Sequence, residues 1–299
     1  MQHINKQIYE RGGTMAEKDI TEKILADYND VFADILNTLL FGGERVVKEE
    51  KLVNLKDKSM YKFDGKLHEQ ERDVIKALEG ECIRIAVVGL EHETKAEKYM
   101  TLRVLGYDGS AYRAQLLDDT QKEMYPVVTL VLYFGLTPWL YGKTLYEEVD
   151  IPEIWQPYVS DYRINVFEIA FLDPETVKLF QSDFRHVADY LVQKRLNNDY
   201  IPSDQQIRHV DAVLKLMRYV ADDVRFEEIA NEMNENERKE GVKMCNVLDK
   251  IEARGEVRGE VKAYSNMGKS AEEIAGIMHK PVEVIKDILM SFAPQPSEQ

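Results

Sequence analysis

The chain has 299 residues, 44% of them hydrophobic and 31% charged, with a formal net charge of −15. That length can bury a sizeable core and suits one main domain with an appendage. The acidic balance excludes a protein that coats nucleic acid by neutralising phosphates, but not a nuclease in which a local basic groove and a bound cation offset the average.

The first fourteen residues are expected to be a non-native or disordered extension. Glu10-Arg11-Gly12-Gly13-Thr14 precedes Met15, and Arg-Gly-Gly can be encoded by a purine-rich ribosome-binding sequence read in frame. From Asp19 to Phe41, apolar residues recur at three- and four-residue intervals, which predicts a helix stopped by Gly42-Gly43. Asp30 and Asp34 lie one turn apart on it and are either solvated or turned toward an acidic site. Val46 to Lys66 is polar and mixed, a connection with one short strand.

His68 to Thr94 organises the rest. Asp73 to Leu78 and Ile83 to Leu90 are strands joined by a turn through Glu79-Gly80-Glu81-Cys82. If they pair as an antiparallel hairpin, Asp73 and Glu91 flank the same end of it. Two carboxylates at a strand edge can hold Mg²⁺, which takes a few oxygens and keeps several waters. Acids flanking a hairpin are also ordinary solubilising charge, and spacing alone leaves both readings open.

Lys95 to Leu117 is predicted to be a helix, with Asp108-Gly109-Ser110 as a point of interruption. Tyr125 to Gly135 reads as a strand covered on both faces, and Arg163 to Leu172 as another. Between them, the irregular stretch from Leu136 to Tyr162 carries Trp139 and Trp155, expected to pack on the core rather than to stack on bases. Pro174 opens a helix capped by Asp173, and a further helix is expected after Pro202 with Ser203 or Asp204 as its cap. Glu227 to Lys262 reads as one long charged helical run ending in a tetrapeptide repeat, Arg254-Gly255-Glu256-Val257-Arg258-Gly259-Glu260-Val261. Met267 to Leu289 has the pattern of a helix-turn-helix, with Ser270 as cap and Pro281 opening the second helix. That second helix carries Glu283 and Asp287, a balance that disfavours base reading and suits partner contact or dimerisation.

Glu71-Arg72-Asp73-Val74, Leu90-Glu91-His92-Glu93-Thr94, Leu102-Arg103-Val104-Leu105-Gly106-Tyr107-Asp108 and Tyr112-Arg113-Ala114-Gln115 stand in an order and spacing that resemble the Rpn family of recombination-promoting nucleases, the YhgA-like transposases. That family belongs to the PD-(D/E)XK nuclease superfamily. The likeness extends from Tyr28-Asn29-Asp30-Val31-Phe32-Ala33-Asp34 to Asn165-Val166-Phe167-Glu168-Ile169-Ala170. It implies an α/β fold, a restriction-endonuclease-like core with a mixed β-sheet flanked by helices, followed by a helical carboxy-terminal region. It also implies Asp73 and Glu91 as ligands of Mg²⁺, with Mn²⁺ or Ca²⁺ as substitutes, and Glu93 as the third catalytic position, where the superfamily has lysine and Rpn-like proteins often have glutamine. Arg103 and Gln115 are candidate substrate contacts, and DNA is the expected partner.

The expected division is 1–14 as extension, 15–222 as the nuclease-like domain, 223–264 as a long charged helix, 265–292 as a helical hairpin and 293–299 as a disordered tail. Self-association is expected through the carboxy-terminal helices. Two cysteines without finger spacing and six scattered histidines give no zinc site. The longest apolar run, Pro126 to Leu140, is too short for a bilayer, and the expected location is the cytoplasm. The function expected is metal-dependent DNA endonuclease activity linked to recombination or mobile elements. The alternative is a silent nuclease fold acting as a protein- or DNA-interaction module.

Overall fold

A computed structural model of the chain describes residues 25–55, 58–63, 66–71, 74–78, 83–90, 97–119 and 123–292. The described residues form two compact units divided between Val242 and Lys243.

The first unit is built on a five-stranded sheet in the order β1-β4-β5-β6-β7, from β1 (Leu52–Asn54), β4 (Val74–Leu78), β5 (Ile83–Leu90), β6 (Val127–Tyr133) and β7 (Asn165–Glu168). β2 (Lys58–Phe63) and β3 (Lys66–Glu71) pair with each other as a separate antiparallel hairpin. The stretch read as a connection with one short strand therefore holds β1, β2 and the start of β3. β1 and β5 both run antiparallel to β4, whereas β5, β6 and β7 are mutually parallel, so the sheet is mixed. Parallel neighbours need a crossover. Between β5 and β6 it is the helix α2 (Met100–Leu116), preceded in the chain by α1 (Asn29–Phe41).

β6 is an interior strand between β5 and β7, and its apolar run is explained by burial: Leu130, Val131, Leu132 and Tyr133 are all buried. Met100, Val104 and Tyr107 of α2 pack with Val131, Tyr133, Trp139 and Ile164 in one cluster. α2 passes through Asp108-Gly109-Ser110 without a break. Gly109 faces open space, so it costs the helix propensity alone, while Asp108 accepts hydrogen bonds from Thr129 Oγ1 at 2.6 Å and from Tyr162 Oη.

α1 ends where the sequence says it should, on Gly42 at φ 60°. It does not continue unbroken from upstream, because Asp27 and Tyr28 turn the chain before Asn29. Beyond the sheet come α3 (Leu145–Glu148), α4 (Pro174–Leu179), α5 (Phe184–Asn197), α6 (Val210–Val220), α7 (Arg225–Glu232) and α8 (Glu235–Glu240). Asp173 caps α4 as expected, accepting from Glu175 N–H at 2.8 Å. The cap of α6 differs. The helix starts at Val210, well past Ser203 and Asp204, and Asp183 accepts from the backbone N–H groups of Arg208 and His209 ahead of it.

The charged run is three helices instead of one. Asn234 and Glu237 form a capping box that restarts the chain after α7, and Gly241 at φ 79° ends α8. The second unit contains α9 (Met244–Asn266), α10 (Ala271–Met278) and α11 (Val282–Ser291), closed on Val261, Ile274, Ala275 and Ile285. The Arg-Gly-Glu-Val repeat is continuous helix within α9. Ser270 caps α10 by a capping box with Glu273, and Pro281 stands immediately before α11. Among the described residues, no helix is long and apolar enough to cross a membrane.

Candidate functional site

The parallel strands set up the sheet edge of interest. Leu90, Tyr133 and Glu168 end β5, β6 and β7 in one row of the register. β4 starts at this side too, with Val74 opposite Val87, so β5 runs three residues past the level of Val74. Asp73 is the residue before β4 and Glu91 the residue after β5. Asp73, Glu91 and Glu93 themselves lie outside the described residues. The expectation that the two strand ends coincide meets a stagger of three residues, about 10 Å of extended chain.

At this edge Glu168 accepts from Trp139 N–H at 2.8 Å and from Lys143 Nζ at 3.2 Å. Glu148 accepts from the backbone N–H of Thr101 in the first turn of α2. The edge is therefore tied by carboxylates to both the crossover helix and the chain beyond β6.

Arg103 lies on α2, half-buried, where its Nε donates to Tyr107 Oη at 2.6 Å and the guanidinium sits 5.4 Å from the centre of the Tyr107 ring. Gln115, at the far end of α2, is buried. Its amide nitrogen donates to Tyr125 O at 3.0 Å, and its amide oxygen accepts from Tyr125 N–H at 2.7 Å, which fixes the chain two residues before β6. Those bonds give Gln115 a positioning role for β6.

Asp30 and Asp34 serve other partners. Asp34 accepts from the backbone N–H groups of Gln181 and Ser182 at 2.9 and 2.7 Å. Both oxygens of Asp30 are 3.0 Å from His209 Nε2, and Tyr28 stacks on the His209 ring at 3.6 Å. Burial disfavours charge on both groups, but the hydrogen bond and charge between them prevail: Asp30 is held below its ordinary value and His209 above its own. Asp30 and Asp34 line a cleft of about 410 Å³, lined also by Asn37, Arg45, Lys48 and Arg208.

Lys76, in the middle of β4, was not singled out by the sequence reading. It is fully buried, and its Nζ donates to Asn54 Oδ1 at 2.5 Å, Asp27 O at 2.6 Å and Asn29 Oδ1 at 2.8 Å. Burial pushes the ammonium below its ordinary value, and the Asp27 carboxylate, 3.7 Å away, opposes the shift. The signal was there: a lysine flanked by Val74-Ile75 and Ala77-Leu78 must either be exposed or carry three acceptors with it. Here those acceptors join β1, β4 and the turn before α1.

Among the described residues no group of three or more His, Cys, Asp or Glu side chains could hold a metal ion. The expected ligands Asp73 and Glu91, like Glu93 at the expected third catalytic position, are carboxylates, which suit a hard cation such as Mg²⁺ and not a soft one.

A mixed sheet with a helical crossover, flanking helices and a helical carboxy-terminal region makes this an α/β protein. The family model described as "Putative transposase, YhgA-like" matches residues 53–240, and the chain belongs to that family. Neither the curated proteins nor the solved structures contain a match to the chain.

Proposed function

We propose that the protein is a metal-dependent DNA endonuclease in which Asp73 and Glu91 bind Mg²⁺ and Glu93 completes the acidic set. One observation carries the reading: in a chain of a transposase family, β4 and β5 pair antiparallel and stand next in sequence to Asp73 and Glu91 at one edge of a mixed sheet. When bound, the cation lowers the pKa of a coordinated water and offsets charge on a phosphoryl oxygen. The chain's own residues do the rest. Asp73 and Glu91 would hold the cation beside β4 and β5, whose ends are staggered by three residues. Glu93 adds negative charge where a lysine would stabilise the developing anion, so the reaction depends more heavily on the cation. Arg103, whose Nε is engaged by Tyr107, would meet a phosphate through its remaining N–H groups, and Gln115 sets the start of β6.

A second reading is a silent nuclease fold used as an interaction module. It is favoured by Glu93 at the lysine position and by the net charge of −15. Supercoiled plasmid incubated with the purified protein and Mg²⁺, Mn²⁺, Ca²⁺ or chelator distinguishes the two. The nuclease reading expects nicking that requires metal and disappears in Asp73→Ala and Glu91→Ala. A folded protein that cuts under none of these conditions sinks it.

A further inference from the structure

The chain between β6 and β7 makes an ordered excursion from Lys143 to Ile164. At its base Thr144 and Arg163 form an antiparallel bridge, with Leu145 N–H donating to Tyr162 O and Ile164 N–H to Lys143 O, both at 2.9 Å. Inside it, Tyr146 Oη lies 2.6 Å from the carbonyls of both Gln156 and Val159, and Tyr146 N–H donates to Asp161. A segment pinned this way is not exposing side chains through looseness. Yet Ile154 is 74% exposed, Trp155 56% and Tyr158 81%, with the two rings edge to face at 6.5 Å. Rigid, solvent-facing Trp and Tyr are the side chains that anchor interfaces.

Charge identifies what they meet. From Lys143 to Arg163 the excursion has five acids, Glu147, Glu148, Asp150, Glu153 and Asp161, against the two bases at its ends, which opposes a phosphate backbone. The outer face of α2 is the complement. Leu102, Leu105, Tyr112 and Leu116 are exposed along it. Its charged residues between Met100 and Leu117 are Arg103, Arg113 and the buried Asp108. The two surfaces adjoin, since Glu148 accepts from Thr101 N–H at the first turn of α2. Neighbouring patches of opposite charge on one molecule meet twice across a two-fold axis, each copy's excursion on the other's helix.

We propose that the protein forms a two-fold dimer in which the Trp155–Tyr158 tip of each copy docks on the outer face of α2 of the other. This interface lies wholly in the first unit and does not use the carboxy-terminal helices, nor does it depend on nuclease activity. The two tryptophans report on it separately, because Trp139 is buried while Trp155 is exposed.

The test uses the full chain at rising concentration, following solution mass by sedimentation and tryptophan emission. The expected result is a shift to twice the chain mass with a blue shift in emission. Trp155→Ala/Tyr158→Ala and, separately, Leu116→Glu should weaken association about tenfold or more with far-ultraviolet circular dichroism unchanged. Trp155→Phe should remove the emission shift. Single-chain mass throughout, or a dimer that survives both surface variants, overturns the proposal. An emission shift produced by single-stranded DNA and not by concentration also overturns it and assigns the tip to nucleic acid.

Discussion

Two histidines give the protein opposite responses to pH. His209 is held above the ordinary 6.5 by Asp30, so its stabilisation is complete below that value and is lost as pH rises through the raised one. Asp30, held below the ordinary 3.8, contributes above that value and loses its contribution as pH falls through the lowered one. His186 is the counterweight: it is fully buried, neither ring nitrogen has a hydrogen-bond partner among the described residues, and burial pushes its pKa down. The unfolded chain takes up that proton first, so acidification below about 6.5 costs stability through His186. Thermal unfolding followed against pH should show His209→Gln removing the alkaline decline and His186→Leu relieving part of the acid one. At neutral pH, His186→Leu should stabilise by about 1 kcal/mol, because it removes two unsatisfied buried groups. A loss of stability in His186→Leu would mean that the imidazole is satisfied in solution. Lys76→Met should cost roughly 2–3 kcal/mol in denaturant titrations, since Asn29, Asn54 and Asp27 lose their common donor.

Glycines test the element boundaries. At Gly241, φ is 79° and an added Cβ would stand 2.4 Å from Ile207 O, so Gly241→Ala combines strain with a backbone clash. At Gly42, φ is 60° but the space is open. Gly241→Ala should therefore destabilise on the order of 3 kcal/mol and Gly42→Ala nearer 1, measured by chemical denaturation. Equal effects would show that the clash at Gly241 relaxes. These boundaries also show what the sequence conveys. The second strand of the hairpin, Ile83 to Leu90, and the stop at Gly42 were legible because β-branched runs and glycine caps are local signals. The division of the charged run was legible in principle, since Asn234 and Glu237 spell a capping box, but uniform charge masked it. The start of α6 was not legible, because the chain entering it is held by Asp183, 26 residues before His209. Of the acidic site, the strand positions could be read from pattern; what Glu93 does in place of lysine could not, since it depends on contacts that no local pattern encodes.

The net charge of −15 bears on how the proposed nuclease would meet DNA. Carboxylates outnumber lysines and arginines, 54 to 39, so with the proposed acidic site binding should require a divalent cation. Anisotropy of a labelled duplex with Ca²⁺ should rise with protein and return to baseline with chelator; chelator-resistant binding would contradict a site built on carboxylates. The carboxylate of Asp183 also bears on how the molecule assembles. It is 1% exposed, and it accepts from the N–H groups of Arg208 and His209, the two residues immediately before α6. A helix whose approach is held by a remote residue cannot settle its starting point from its own segment. The loop from α5 must close first, so α5 and α6 should acquire exchange protection together in pulse-labelled refolding, and Asp183→Asn should slow the acquisition in both helices at once.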